Sequence, residues 1–381
     1  MRLLLPSVFM AVYVFLSLVL PLKTALWLKA LMGAGLLAAG LKYVFYQVAG
    51  GGFFRPELPA AVMLTAEALY ASLIMLFFLA LIKDAAGLSL RLTRLFGASL
   101  HLLFSPGQRC AVLTVLALAC GVWGTWQAVK VPDVRTVEIA LPHLPAELEG
   151  FTLVQLSDLH IGPVQKKDWL EAVVRKVNDL SADAVAITGD MIDGLPRTLR
   201  EEVQPLGDLK ARFGVFGVTG NHEYYYDARG WTKEFRALGV DMLNNEHRVL
   251  QGGLVIGGVP DNTSARFGNG GTDVEAAFAG APEGPRILLA HKPNDKGLPA
   301  PGVSLQLSGH THGGLIFFLS PLIGAYNAGY VRGLYETPEG GLLYVSPGTG
   351  LWNGFSCRLG VPSEITRLVL HRKADAAQYL P

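Results

Sequence analysis

The stretch Phe151–His160, FTLVQLSDLH, decides how this chain folds. Its first six residues are mostly Phe, Leu and Val, the composition of a buried strand, and it halts at a polar turn carrying Asp158 and His160. Working outwards, the pattern recurs as DAVAITGD ending at Asp190, GVFGVTGNH ending at Asn221 and His222, RILLAH ending at His291, and SLQLSGHTH ending at His310 and His312. Strands in an α/β sheet share one rim at their carboxyl ends, and ligands bind there. Two Asp, one Asn and four His are therefore expected to converge on one spot, with His222 beside them. That is enough for two metal ions, and two metal ions next to a histidine point to phosphate ester hydrolysis.

Helical patterns separate these runs. Residues 166–179 carry apolar side chains at Trp169, Val173, Val174 and Val177, and Trp231–Leu238 forms a second helix. After Arg248 the chain turns strand-rich and Gly-rich, and Arg135–Leu141 reads as an edge strand. The fold class is an α/β sandwich of two sheets with helices outside.

The front of the chain belongs to a different solvent. Four apolar stretches, Leu3–Leu22, Leu26–Phe45, Leu58–Ile82 and Cys110–Ala128, are each long enough to cross a hydrocarbon core as a helix. Residues 1–130 hold 10 Lys/Arg and 3 acids, so the near-neutral total (+1) hides a basic front and a mildly acidic remainder. That acidic remainder argues against nucleic acid as a partner. The expected organisation is a four-helix transmembrane region (1–130), a linker (131–148) and a catalytic domain (149–375) in a multi-pass protein of a bacterial-type inner membrane. Within the spans, Lys29 is expected to snorkel and Glu67 to face a neighbouring helix. Gly87–Phe104 is expected to lie as an amphipathic helix in the interface. Basic residues of the 83–109 loop, with Lys23 on the same side, outnumber those on the other side, where Lys42 is counted, by one. This leans the loop to the cytoplasm and the catalytic domain outside. Cys110, Cys120 and Cys357 imply no disulfide framework and no Cys-x-x-Cys metal site.

Mixed Asp/His/Asn donors without thiolate suit Mn, Fe or Zn. If the strand pattern persists past Ser157, Asp158 and His160 point to one face; His310 and His312 repeat that spacing among glycines. Taken together, D-x-H, G-D, G-N-H-E, H and G-H-T-H resemble the calcineurin-like metallophosphoesterase family, and its membrane-associated bacterial subgroup in particular, over residues 149–370. The resemblance implies a four-layer α-β-β-α sandwich and two divalent cations. Asp158, His160, Asp190 and His312 would hold one cation, and Asp190, Asn221, His291 and His310 the other. It also implies hydrolysis by a hydroxide held between the metals, with His222 stabilising the transition state or protonating the leaving oxygen.

Residues 354–370 look like the subgroup's closing segment. Leu315 stands where the subgroup commonly has Gln, and the apolar run 315–323 reads as a core strand or as a wall for an acyl chain. Asp193, Glu223 and Asp261 are candidate acceptors for ligand imidazoles, Arg266 is a candidate phosphate contact, and His101, His143, His247 and His371 fall outside the motifs. The substrate is expected to be a phosphorylated molecule and, given the spans, a lipid-linked one. A UDP-2,3-diacylglucosamine pyrophosphatase-like enzyme would need a cytoplasmic site. The competing classes are a non-catalytic metal-binding membrane scaffold or sensor, and a transporter or channel formed by residues 1–130.

Overall fold

The computed structural model describes residues 4–52, 56–94 and 104–373. The chain divides into two compact units, Met1–Ala128 with Gly354–Leu359, and Val129–Asn353 with Gly360–Pro381.

The larger unit contains twelve strands among its described residues: β1 Asp133–Leu141, β2 Phe151–Leu156, β3 Ala184–Ile187, β4 Val215–Gly217, β5 Val240–Met242, β6 Glu246–Val249, β7 Val255–Gly258, β8 Arg286–Leu289, β9 Leu305–Ser308, β10 Gly333–Glu336, β11 Leu342–Val345 and β12 Glu364–Arg372. They form two sheets of order β1-β12-β2-β3-β4-β5 and β10-β11-β9-β8-β7-β6. Strands β2 to β5 run parallel in the first, and β7, β8, β9 and β11 run parallel in the second. The strand ends that carry the motifs therefore do share a rim within each sheet.

Side chains alternate between two cores, as a period of two requires. Leu153, Ala186, Phe216, Ile256, Ile287 and Leu305 meet between the sheets. Val154, Val185 and Ile187 face outward, against Leu170, Val173 and Val177 of helix Lys167–Asp179 and Trp231 and Phe235 of helix Ala228–Ala237. Each such aliphatic side chain contributes about 1.5–3 kcal/mol on full burial. The fourth layer is thin: Val255 and Leu288 are covered by Ala277 and Phe278 at the short helix Val274–Ala277.

The run 315–323 is not a core strand. Leu315 has φ 63°, only Ile316 is fully buried, and the chain continues through a 3₁₀ turn, Phe317–Leu319, into helix Ser320–Tyr326. A left-handed residue directly after Gly313-Gly314 breaks the extended path, and Pro321 in the first helical turn suits a helix start.

The smaller unit is helical. Leu4–Val14 runs on through a π turn, Phe15–Val19; Leu26–Gly40 and Lys42–Ala49 meet at a 63° bend; Ala60–Arg94 and Pro106–Val129 are single helices. Two of these helices are long and apolar enough to cross a membrane, or three if the bent pair is one span. The first stretch is shorter as a helix than that length. Residues 87–94 do not start a separate interfacial helix but continue the 35-residue helix Ala60–Arg94; residues 95–103 lie outside the described residues. Lys29 donates to the Leu20 carbonyl at 2.7 Å. Glu67 faces Lys42, their charged atoms 2.9 Å apart and both side chains 1% exposed. Lys42 is thus an interior charge, not a loop charge, and leaves the orientation count.

Candidate metal centre

The motif residues do not sit on strands. β2 ends at Leu156, and Asp158 and His160 have φ values of 53° and 47°. The expected persistence of the strand therefore fails, and a left-handed turn aims both side chains instead. Asp190 (52°), His310 (69°) and His312 (48°) share this conformation. Sparsely populated backbone states cost on the order of 1–3 kcal/mol each and gather at functional sites. The surrounding backbone holds them: the amides of Asp158 and His160 donate to the carbonyls of Gly189 and Asp190 at 3.0 and 3.1 Å. Glu223 accepts from the amides of Gly220, Asp190 and Met191 at 2.6, 3.1 and 2.7 Å. Glycine is required at 220 and 309: a Cβ would lie 2.2 Å from Asp190 Oδ1 at the first and 1.9 Å from Ser157 Oγ at the second.

The turns, with the start of helix Asn221–Tyr226, bring together Asp158, His160, Asp190, His222, His291, His310 and His312. Asp158, His160 and His312 form one group of metal-competent atoms, and Asp190, His291 and His310 another; within each group the atoms lie within 4.8 Å of one another. Asp190 Oδ2 is the hub, 3.2 Å from His291 Nε2, 3.8 Å from His160 Nε2 and 3.9 Å from His222 Nε2. His310 Nδ1 lies 3.3 Å from His291 Nε2, and His312 Nε2 lies 3.7 Å from Asp158 Oδ1. His160 Nε2 and Asn221 Oδ1 are buried without a hydrogen-bond partner. A buried polar atom left without a partner is costly, and bound cations would satisfy these atoms, so the donor set fits divalent metal.

The electrostatics agree. Burial pushes the Asp190 carboxyl up, but His291 and His222 outweigh it and hold it well below the carboxylate range. Burial dominates at Asp158, whose pKa is raised. His222 would lose its proton easily on burial alone, yet Asp190 and Asp193 raise its pKa to about 9. His291 is raised to about 10, burial being overcome by Asp190. His310 is lowered to about 3 by burial and by its neighbour His291.

Of the three carboxylates considered as imidazole acceptors, only Asp193 is one. Its Oδ1 takes the Nδ1 groups of both His160 (2.9 Å) and His222 (2.6 Å). Glu223 serves backbone amides, and Asp261 pairs with Lys292 at 2.9 Å. Arg266 ends the short helix Thr263–Arg266 and is exposed. His371 pairs with Glu138 and Glu149, and His247 meets the Ala277 carbonyl. His143 is exposed, and His101 lies outside the described residues.

Sequence reasoning missed Asn353, whose Nδ2 donates to Asp193 Oδ2 at 2.9 Å. The signal available was an amide side chain closing the Gly/Pro-rich tract SPGTGLWN after a buried strand.

A fold of two facing sheets with an Asp/His/Asn cup at their rims defines a metal-dependent phosphoesterase. Residues 151–314 match the family model of the calcineurin-like phosphoesterases. The chain is 36% identical to a "transmembrane protein with metallophosphoesterase domain" from Danio rerio, over 81% of this chain and 73% of that protein. It is 38% identical to its namesake from Bos taurus, over 70% of this chain and 62% of that one. An uncharacterized metallophosphoesterase of Helicobacter pylori is 36% identical, over 68% and 70%. This chain belongs to the calcineurin-like metallophosphoesterase family.

Proposed function

We propose that the chain is a membrane-anchored hydrolase that cleaves a phosphate ester, phosphodiester or pyrophosphate with two divalent cations. The observation that carries this reading is the shared position of Asp190, whose carboxylate reaches the donors of both groups. Asp158, His160, Asp190 and His312 would hold one cation, and Asp190, Asn221, His291 and His310 the second. Manganese suits these donors best, with iron and zinc as alternatives, since no thiolate is among them. When bound, such cations acidify water and neutralise phosphoryl oxygens. Residues 1–130 serve as the anchor.

The protein's own groups do the rest. His222, whose proton Asp190 and Asp193 hold in the metal-free site, donates from Nε2 to the departing oxygen. Asp193 holds the opposite nitrogen and so fixes which face of the ring donates. Asp158, His160, Asp190, Asn221, His222 and His291 are buried, which strengthens each electrostatic contact.

A lipid-linked substrate is favoured by one observation. Beginning five residues past His312, the turn and helix 317–326 expose Phe317 (60%), Leu322 (57%) and Tyr326 (79%), an apolar surface beside a polar site.

Purified full-length protein assayed with bis(p-nitrophenyl) phosphate and Mn²⁺ tests the reading. Asp190→Asn and His310→Ala are expected to lower turnover by at least about 100-fold, since even the partners of ligands cost 10–100-fold. Unchanged turnover in both would remove the reading, and absence of turnover in the wild-type protein with metal bound would leave a metal-binding scaffold.

A further inference from the structure

The buried ion pair of the helical unit bears on the hydrolytic site through the chain that it grips. A buried pair gains little net stability over apolar residues of similar volume, so the use of Lys42 and Glu67 lies in what else they bind. Lys42 Nζ donates to the Gly354 carbonyl at 2.8 Å, and Glu67 Oε2 accepts from the Ser356 amide at 2.9 Å. Tyr46 donates its hydroxyl to Glu67 Oε1 at 2.7 Å, and the rings of Tyr43 and Tyr70 lie 4.5 and 4.4 Å from Lys42 Nζ. Tyr70 also meets Phe355 edge-on at 5.9 Å, and the Arg358 amide donates to the Gly124 carbonyl at 2.9 Å. Gly354 has no side chain to hold it, and its backbone is the most permissive of any residue; its carbonyl is the handle. One peptide bond upstream stands Asn353, which donates to the free oxygen of Asp193. The other Asp193 oxygen holds His160 and His222.

We propose that Lys42 and Glu67 are positioning residues for hydrolysis: by fixing the backbone of 354–356 they fix Asn353 and, through Asp193, the rings of His222 and His160. The proposal rests on the phosphoesterase reading of that site. Lys42→Met combined with Glu67→Leu removes both charges together and strands neither.

In the full-length protein, hydrogen exchange followed by mass spectrometry should show faster exchange not only at 354–359 but also at 350–353 and 188–194. In saturating Mn²⁺, kcat on bis(p-nitrophenyl) phosphate should fall by about 10-fold, the low end for a lost ligand support, with KM within twofold. Lys42→Met with Glu67→Gln keeps an acceptor for the Ser356 amide and should restore part of the rate. Wild-type kcat and wild-type exchange at 350–353 and 188–194, or a rise in KM alone, overturns the proposal. Should the paired variant not fold, two glycines inserted between Asn353 and Gly354 slacken the link while leaving both ends native. The same losses then support the proposal, and wild-type values overturn it. Failure of the phosphoesterase reading looks different: the wild-type protein shows no turnover, while the exchange measurements still decide the positioning.

Discussion

His222 Nδ1 lies 2.6 Å from Asp193 Oδ1, and that oxygen also takes His160 Nδ1 at 2.9 Å. One carboxylate therefore orients a residue proposed to move a proton and a residue proposed to hold a cation. Burial pushes the Asp193 carboxyl up, but the two imidazoles outweigh it and keep it ionised. Asp193→Asn is expected to lower activity about 10- to 100-fold, with loss of both kcat and cation affinity. Kinetics at several Mn²⁺ concentrations separate the two; a change in neither would detach Asp193 from the chemistry.

His222→Asn should reveal a proton donor by its dependence on the leaving group. Proton transfer contributes typically 10²–10⁴-fold, and most where the departing oxygen is basic. An alkyl phosphate is therefore expected to suffer far more than a p-nitrophenyl ester, with bound metal unchanged. Equal losses on both substrates would point to electrostatic support instead.

Cation binding should weaken as pH falls. In the metal-free site His291 keeps its proton up to about 10 and His222 up to about 9. A cation bound by His291 must displace that proton, so affinity falls as acid restores it. Calorimetry at pH 6, 7 and 8 in buffers of different ionisation enthalpy should show proton release on Mn²⁺ binding and rising affinity with pH. Affinity independent of pH would remove His291 from the ligand set.

Gly309→Ala should damage the site from behind. The new methyl would lie 1.9 Å from Ser157 Oγ and 2.2 Å from Asp158 Oδ2, pushing that carboxylate from its place. Overpacking of this kind costs on the order of 1–3 kcal/mol, read as a lower midpoint in denaturant together with loss of bound metal. A variant with native stability and full metal content would show that the turn can yield.

Leu322→Ser with Tyr326→Ser should separate a lipid-linked substrate from a small one. Both side chains are largely exposed, so stability should shift by no more than about 0.5 kcal/mol. Hydrolysis of an acylated pyrophosphate should fall, and that of bis(p-nitrophenyl) phosphate should not. Parallel behaviour of the two substrates would assign the apolar helix another role.

Much of this protein is written locally. The apolar runs before Asp158, Asp190, Asn221, His291 and His310 announce strands because each must bury both faces, and the helix at Lys167–Asp179 shows its apolar stripe in its spacing. The run 315–323 misleads for the same reason: hydrophobicity reports burial in a core equally with an exposed apolar surface, and periodicity in a short run separates neither. Lys42 misleads differently, since a lysine near a span end looks solvated until Glu67, 25 positions away, is found against it.

By itself the sequence determined the candidate donors, their order and the sheets that carry them, because strand burial and glycine placement are nearest-neighbour matters. Only the tertiary structure decided how they meet. Five donors adopt left-handed backbone that no strand pattern announces, and Asn353 reaches Asp193 across 160 positions of chain. Such conformations and contacts are costly alone; they persist because the packed sheets and the turns between them leave those residues no cheaper state.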